Sequence, residues 1–315
     1  MSINSSIISP KSIVVIGASN ILTKPGGKLV KNLLDGQFSG PLYAVNPKED
    51  SVQGIQTFKS VNELPEVDLA ILAIPPHPCK EAIKVLAKQK NTKGFIIISA
   101  GFSEGDDEGK RIETEIVAII NKANGCLIGP NCIGVLNANY RGVFTTPTPK
   151  MVKDGCDLIS SSGAMALFTM EAGIQNGLRF SNIFSVGNAA QTGVEDVLEY
   201  LDKTYIEGES ASTKLLYMET IRNPKKLLKH ASSLIAKGVK IAAIKAGSTE
   251  AGSRAASSHT GAIANSDMAV RALFRKSGIV YCSSREELIT VACIFYSKPL
   301  KGKKVAIITH AGGSA

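Results

Sequence analysis

The sequence predicts an α/β protein of two domains, each built on an open parallel sheet with helices on both faces. Short apolar runs alternate with helical runs along the first half, as where "SIVVIGAS" is followed by "GGKLVKNLLDG". The alternation stops in a segment rich in threonine and proline and then begins again. The strand-like runs are apolar at consecutive positions, which is typical of strands buried on both faces of a parallel sheet.

The first half of the chain supplies the elements of one domain, which we place at residues 1–145. In its first helix Leu29, Leu33 and Leu34 lie at helical spacing, and Gly36 ends the helix. In chain order the predicted strands are "SIVVIGAS", "PLYAVNP", "VDLAILAIPP", "GFIIISAG" and "CLIGPNCIG", and the predicted helices are "GGKLVKNLLDG", "CKEAIKVLAKQKN" and "DEGKRIETEIVAIINKANG".

A linker is predicted at 143–155, "VFTTPTPKMVKDG", and a second domain at residues 152–298. Its predicted strands are "CDLIS", "FSNIFSVGN", "KLLYMET", "KIAAIKAG" and "IVYC", each followed by a loop or helix. The last run, "VAIITHAGGSA", at 303–315, looks like the first strand and glycine turn of a truncated third domain. Because one strand is not stable alone, we expect the sequence to be part of a longer chain.

Composition argues against several classes of function. The chain has 315 residues and a formal net charge of +9, but its basic residues are scattered. It has no Trp and only 5% aromatic residues for stacking on bases, so we expect no nucleic-acid partner. Six cysteines without a C-x-x-C pair indicate neither a zinc site nor a disulfide framework, and no metal site is predicted. We find no signal peptide and no apolar run of roughly 18–20 residues, so we expect a cytoplasmic protein without a membrane partner.

The loop after the first strand, "GASNILTKPGGK", is a glycine-rich turn into a helix N-terminus. It has neither the G-x-G-x-x-G pattern of dinucleotide sites nor the spacing of a P-loop. Free N–H groups at a helix N-terminus nevertheless attract phosphate. The second strand ends at Asn46 and Lys48, not at the acid that bonds the NAD ribose, although Glu49 and Asp50 follow and leave NAD open.

A lysine at this strand end suits an additional phosphate group. Coenzyme A (CoA) carries a 3′-phosphate as well as a pyrophosphate, and three lysines are placed to meet them: Lys24, Lys28 and Lys48. Each of these can equally be an ordinary surface lysine.

A second phosphate-binding loop is predicted at 159–168, "ISSSGAMALF". Hydroxyl groups and free N–H groups between a strand and a helix can surround a phosphoryl group, and Ser160, Ser162 and Gly163 provide them here. A serine before a helix also acts as an N-cap. Three serines in a row exceed what capping needs.

His259 lies in "SSHTGA" after the predicted strand "KIAAIKAG", at the carboxyl edge that the Ser160–Gly163 loop shares. A neutral imidazole is a good nucleophile towards a phosphoryl group, and small neighbours allow it to move. Glu219 ends "KLLYMET" on the same edge and can fix the imidazole tautomer. Without such a function, His259 would be an ordinary polar histidine in a loop, and Glu219 would be a solvated charge at the end of a strand.

Together these motifs resemble the NDP-forming acyl-CoA synthetases, the family of ADP-forming acetate–CoA ligase, and more distantly the succinyl-CoA synthetase alpha subunit. "VVIGAS", "AVNPK", "LAILAIP", "ISAGFSE" and "LIGPNCIGVLN" resemble the CoA-binding domain. "LISSSGAM", "SVGNAA", "YMETIRNP" and "AIKAGSTEAGSRAASSHTGAIA" resemble the ligase domain. The resemblance covers nearly the whole chain and implies a Rossmann-like CoA-binding domain followed by a flavodoxin-like ligase domain.

The resemblance implies a reversible reaction in three steps. Phosphate attacks the thioester of an acyl-CoA, and His259 takes the phosphoryl group from the acyl phosphate and releases a small carboxylic acid. Phospho-His259 then phosphorylates ADP, bound with Mg²⁺, to give ATP at an ATP-grasp domain. This sequence contains no ATP-grasp domain, so a partner domain or subunit is expected, in an oligomer.

The same resemblance implies roles for single residues. Glu219 pairs with the phosphohistidine, and Asn188 lies near the acyl group. Ser160, Ser162 and Gly163 surround the phosphate. The residues expected along CoA are Gly17, Ser19, Lys24, Lys48, Pro75 and Asn131.

Two other functions stay open at this point. Some relatives are fused to an acetyltransferase domain and use this module as a non-catalytic CoA sensor, but that branch tends to lack the phosphorylatable histidine, so His259 favours the ligase. An NAD-dependent oxidoreductase is disfavoured by Lys48 at the end of the second strand.

Overall fold

The computed structural model describes residues 3–247 and 267–297, together with Gly302, Lys304 and Ala306. Two seven-stranded sheets, each mostly parallel, form its core, which confirms the predicted α/β class. The segment 303–315, predicted to begin a third domain, lies outside the described residues except for two positions. Within the described ranges, no helix has the length and apolar character needed to span a membrane.

The first sheet has the strand order β3-β4-β2-β1-β5-β6-β7. Its strands are β1 Ile13–Ile16, β2 Leu42–Val45, β3 Ser51–Val52, β4 Ile55–Phe58, β5 Leu69–Leu72, β6 Gly94–Ile97 and β7 Cys126–Ile128, and its helices are α1 Ser5–Ile8, α2 Pro25–Asp35, α3 Pro76–Gln89 and α4 Asp107–Lys122. Val15 packs in one cluster with Leu29 of α2. Val14 packs in another with Ile83 of α3 and Ile116 of α4. Both faces are therefore covered, as the continuous apolar runs predict.

The second sheet has the order β14-β13-β12-β10-β11-β8-β9. Its strands are β8 Gly134–Leu136, β9 Arg141–Val143, β10 Cys156–Ser160, β11 Phe180–Ser185, β12 Thr213–Met218, β13 Lys240–Lys245 and β14 Val280–Tyr281. The helices of this half are α5 Gly163–Gln175, α6 Val194–Lys203, α7 Pro224–Ala236, α8 Asp267–Ser277 and α9 Arg285–Tyr296. β10 to β14 are parallel to one another, so their carboxyl ends share one edge.

Strands β8 and β9 differ from the prediction of a wholly parallel second sheet. β8 runs antiparallel to β11, and β9 runs antiparallel to β8. Both strands end at or before Val143, the first residue of the predicted linker at 143–155, so the chain enters the second sheet within the range 1–145 assigned to the first domain. Asn137 shapes the turn between them, because its Oδ1 accepts hydrogen bonds from the N–H groups of Asn139 (2.8 Å) and Tyr140 (3.1 Å).

Two buried polar contacts join this hairpin to the first half of the molecule. The Asn32 side chain of α2 donates to the carbonyls of Val143 (2.6 Å) and Thr145 (2.9 Å). The Tyr140 hydroxyl donates to the carbonyl of Ile7 (2.6 Å). The two sheets are thus connected through hydrogen bonds as well as through the chain.

A fully buried ion pair joins two inner strands of the second sheet. Lys214 of β12 and Asp157 of β10 are each 1% exposed, and the Lys214 ammonium donates to the Asp157 carboxylate. Asn182 donates to the other carboxylate oxygen (2.7 Å), and Lys214 also donates to the carbonyl of Ala211 (2.7 Å). Removing one member would leave a charge uncompensated in the interior.

Replacing Lys214 with Met should therefore lower the free energy of unfolding by about 3–5 kcal/mol, the usual range when one partner of a buried pair is removed. Denaturant titration at neutral pH measures the loss. Asp154→Asn is the matched control: Asp154 forms an exposed pair with Arg179, and we expect a change below about 1 kcal/mol. A similarly small loss in both variants would contradict this role for the pair.

Candidate active site

A cavity of about 330 Å³ lies where the loops after β7, β10, β11 and β12 meet. The carboxyl edge of an open parallel sheet is where such folds bind ligands. Five residues that the sequence placed in the site line this cavity, and they come from both halves of the molecule: Asn131, Ser162, Gly163, Asn188 and Glu219. The structure brings these residues together, while their binding roles remain predictions.

The predicted phosphate loop connects β10 to α5. The buried Ser160 hydroxyl donates to the carbonyl of Ser162 (2.6 Å) and accepts from its N–H (3.1 Å), so Ser160 shapes the loop. Ser162 caps α5, because its Oγ accepts from the N–H of Met165 (3.3 Å). Gly163 and Ala164 lie in the cavity wall. The first turn of α5 therefore directs free N–H groups and the positive end of the helix dipole at the cavity.

Asn188 connects the two halves of the molecule through its side chain. Its Nδ2 donates to Ser103 Oγ (3.2 Å), to Glu113 Oε2 (3.3 Å) and to the carboxylate of Glu104. Its Oδ1 accepts from Asn131 Nδ2 (3.4 Å). Sequence reasoning did not find these two glutamates; the only signal was that "ISAGFSE" contains Ser103 and Glu104.

Arg222 and Glu195 are two further charged residues of the cavity wall that the sequence did not single out. Glu195 lies in the first turn of α6 and is only 3% exposed. Its Oε1 accepts from the backbone N–H groups of Arg222 (2.7 Å) and Asn223 (3.0 Å). The turn after β12 is thereby fastened to the start of α6.

Glu219 follows β12 and is half-buried in the cavity wall. The neighbouring strand ends at Lys245, which pairs in register with Met218 and is 3% exposed. Burial lowers the pKa of the Lys245 ammonium, whereas attraction to the carboxylates of Glu219 and Asp267 acts in the opposite direction. His259, the predicted nucleophile, lies outside the described residues.

Cys132 also lines the cavity, but its thiol is not activated. Burial raises the pKa of Cys132 to about 12, and Sγ donates to the carbonyl of Ile97 (3.3 Å). At neutral pH the group is protonated and is a poor nucleophile. Among the described residues, no three His, Cys, Asp or Glu side chains are grouped so that they could hold a metal ion.

The glycine turn after β1 is closely packed against its surroundings. Gly17 has a φ of 84°, and a Cβ atom on it would lie 2.6 Å from the carbonyl oxygen of Ala73. A Cβ on Gly26, in the first turn of α2, would lie 2.0 Å from the carbonyl oxygen of Gly17. The backbone can therefore bring the N-terminus of α2 directly onto the turn, as phosphate-binding turns do.

The other residues predicted along CoA lie on the first sheet's carboxyl edge and do not line the cavity. Lys24 and Lys48 are exposed, the first just before α2 and the second beyond β2. Pro75 is exposed and precedes α3. Ser19 is 7% exposed, and its Oγ accepts from the N–H of Ile21 (3.0 Å), so it orders the turn.

Comparison with known proteins identifies both halves. Residues 11–138 match the CoA binding domain, and residues 153–295 match the succinyl-CoA ligase like flavodoxin domain. Similar proteins include the alpha subunit of ADP-forming acetate–CoA ligase II from Pyrococcus furiosus, 40% identical over 97% of this chain and 65% of that protein. ADP-forming acetate–CoA ligase I from Archaeoglobus fulgidus is 38% identical over 96% of this chain and 43% of its own length.

A solved structure extends the comparison to the fold. The dinucleotide-forming acetyl-coenzyme A synthetase 1 of Ca. Korarchaeum cryptofilum, in complex with phosphate and ADP, superimposes with a TM-score of 0.88. It is 30% identical, and the match covers this whole chain and 67% of that one. The present chain spans about two thirds or less of the length of these relatives.

A CoA-binding domain joined to a succinyl-CoA-ligase-like domain, with a cavity between them, defines the CoA-ligase class. Within that class the chain belongs to the NDP-forming acyl-CoA synthetase family, that of the ADP-forming acetate–CoA ligases.

The two carboxylates beside Asn188 predict that a negative charge at this position is unfavourable. Asn188→Asp should destabilise the protein more than Asn188→Ala, because both lose the amide donor but only Asp adds a carboxylate facing Glu104 and Glu113. We expect a difference of about 1–3 kcal/mol at pH 8 from thermal or chemical unfolding. The difference should shrink towards pH 4, where carboxyl groups become protonated. A difference that does not depend on pH would rule out repulsion as the cause.

Proposed function

We propose that the chain is the CoA-binding, phosphohistidine-carrying part of an ADP-forming acyl-CoA synthetase. With a partner it would interconvert acyl-CoA, phosphate and ADP with carboxylic acid, CoA and ATP. The observation that supports this most is the cavity, where the N-terminus of α5, Glu219 and Asn188 face one space between the two domains. An anion site, a carboxylate and an amide donor are the groups that this chemistry needs in one place.

In the first step, phosphate attacks the thioester carbon of acyl-CoA. A C–O bond forms, the C–S bond breaks, and CoA leaves as a thiolate that takes up a proton. The N–H groups at the start of α5, beside Ser162 and Gly163, would hold the phosphate and offset its charge. Asn188, which donates to Ser103, Glu104 and Glu113 and accepts from Asn131, would line the space for the acyl group.

In the second step, an imidazole nitrogen of His259 attacks the phosphorus of the acyl phosphate. The bond from phosphorus to the acyl oxygen breaks, and the acid leaves as its carboxylate. The ring gains positive charge, which the Glu219 carboxylate would stabilise by accepting its second N–H. Small neighbours of His259 in "SSHTGA" would let the loop move between sites.

The third step transfers the phosphoryl group from His259 to ADP. We propose that an ATP-grasp domain or subunit, binding the nucleotide with Mg²⁺, supplies this site. The relative from Pyrococcus furiosus is named as an alpha subunit, which supports a separate partner for this chain. We propose that the substrate is a small carboxylic acid, as the name of the acetate–CoA ligases indicates for those relatives.

Phosphate labelling tests the function directly. Incubation with acetyl-CoA and radioactive phosphate should attach an acid-labile, base-stable phosphate to the chain, and His259→Asn should abolish it. Glu219→Gln should slow labelling by about 10–100-fold, because the carboxylate that would orient the imidazole and stabilise its positive charge is lost. Omitting acetyl-CoA is the control. If the wild-type chain binds CoA but takes up no phosphate, the function is that of a CoA sensor.

CoA binding is tested at the first sheet. Lys24→Met and Lys48→Met should each weaken CoA binding by about 1 kcal/mol, roughly fivefold, because each removes a charge facing a phosphate. Lys31→Met is the control, since Lys31 pairs with Asp35 on α2. Calorimetric titration with CoA and with dephospho-CoA shows which lysine meets the 3′-phosphate. If both variants bind CoA with wild-type affinity, neither lysine contacts a phosphate group of CoA.

A further inference from the structure

The segment 187–189, between β11 and α6, has an unusual backbone. Gly187 has a φ of 54° and Ala189 a φ of 53°, both in the left-handed region. Ala189 carries a side chain, so this conformation costs about 1–2 kcal/mol and persists only where neighbouring groups impose it. The conformation matters because it determines where Asn188, between the two, directs its amide.

The guanidinium group of Arg222, in the turn between β12 and α7, forms hydrogen bonds with this segment. Its Nη2 donates to the carbonyl of Asn188 (2.7 Å), and its Nη1 donates to the carbonyl of Ala189. Hydrogen bonds from a charged donor are stronger than neutral ones, and the planar fork of arginine fits two adjacent acceptors. A lysine at this position would present a single compact ammonium group in place of the planar fork, so its geometry fits two adjacent carbonyls less well.

Arg222 is itself held in place at its backbone. Its N–H and that of Asn223 donate to the buried Glu195 carboxylate, and the Asn223 side chain accepts from Lys226 N–H (3.0 Å) as the cap of α7. The guanidinium therefore extends from a turn fixed at both ends. The same turn begins with Glu219, the proposed partner of the phosphohistidine.

We infer that Arg222 is a positioning residue of the acyl site. By holding the carbonyls of Asn188 and Ala189, it keeps the Asn188 amide directed at Asn131 and at the first domain. Without the guanidinium, the carbonyls of Asn188 and Ala189 lose their charged donor, and the segment is held only by its own N–H groups and by the Asn188 side chain. We expect the segment to open more often, which makes the position of the Asn188 amide in the acyl site less well defined. The acyl role rests on the proposed function, whereas the backbone effect does not.

Hydrogen exchange tests the backbone effect. The N–H groups of Asn188, Ala189 and Ala190 donate to carbonyls at 3.0, 2.9 and 3.1 Å and report on the segment. In the intact chain, Arg222→Met should speed their exchange at least tenfold, with α5 and β10 unchanged. Lys225→Met, an exposed charge on α7, is the matched control and should change nothing. Unchanged exchange in Arg222→Met would overturn the proposal.

Phosphorylation from acetyl phosphate tests the acyl role, since this donor needs no CoA. Arg222→Met should raise the half-saturating acetyl phosphate concentration about tenfold or more, while the CoA dissociation constant from calorimetry stays at the wild-type value. A parallel loss of CoA affinity would indicate general damage and would overturn the assignment. If Arg222→Met does not fold, Arg222→Lys replaces it in the exchange experiment. Because lysine lacks the planar fork, exchange of the N–H groups of residues 188–190 should still be faster than in the wild type, and unchanged exchange would overturn the proposal. If the wild-type chain takes up no phosphate, the proposed function fails while exchange still tests the positioning.

Discussion

Two backbone loops, one from each sheet, meet at Gly187 and Pro130 with no room for a side chain between them. A Cβ atom on Gly187 would lie 2.1 Å from the carbonyl oxygen of Pro130, and the N–H of Asn188 donates to the same oxygen (3.0 Å). Because each loop leaves the carboxyl edge of a different sheet, this contact fixes the distance between the two edges. The cavity, the start of α5 and the amide of Asn188 take their relative positions from it.

Most of the fold could be predicted because parallel strands buried on both faces have continuous apolar sequences. β1, β5 and β6 are entirely buried, and their sequences show it without any partner. β8 and β9 were not predicted because each has only three residues, too few to establish a period. In addition, β8 pairs with residues of β11 that lie almost fifty positions later, as Val135 does with Phe184. The same reason explains why the linker was predicted after the point where the chain had already entered the second sheet.

The site was predictable to the extent that its residues follow strands. Ser162, Gly163, Asn188 and Glu219 all come directly after a strand of one parallel sheet, so topology alone collects them. Glu104 and Glu113 reach Asn188 across 84 and 75 residues of sequence, and Arg222 acts through backbone carbonyls of another loop. Contacts of this kind leave no pattern in a single sequence.

The hairpin of β8 and β9 is hydrogen-bonded into the second sheet through its backbone. It also contacts the first half of the molecule through side chains. Asn32 and Tyr140 attach it there, and one hydrophobic cluster contains both Leu29 of α2 and Phe184 of β11. A genetic crossover at the predicted linker would therefore transfer the first sheet together with β8 and β9, the last two strands at one end of the second sheet. A crossover before Gly134 would keep the second sheet whole, but it would require Asn32 and Ile7 of one parent to fit the hairpin of the other.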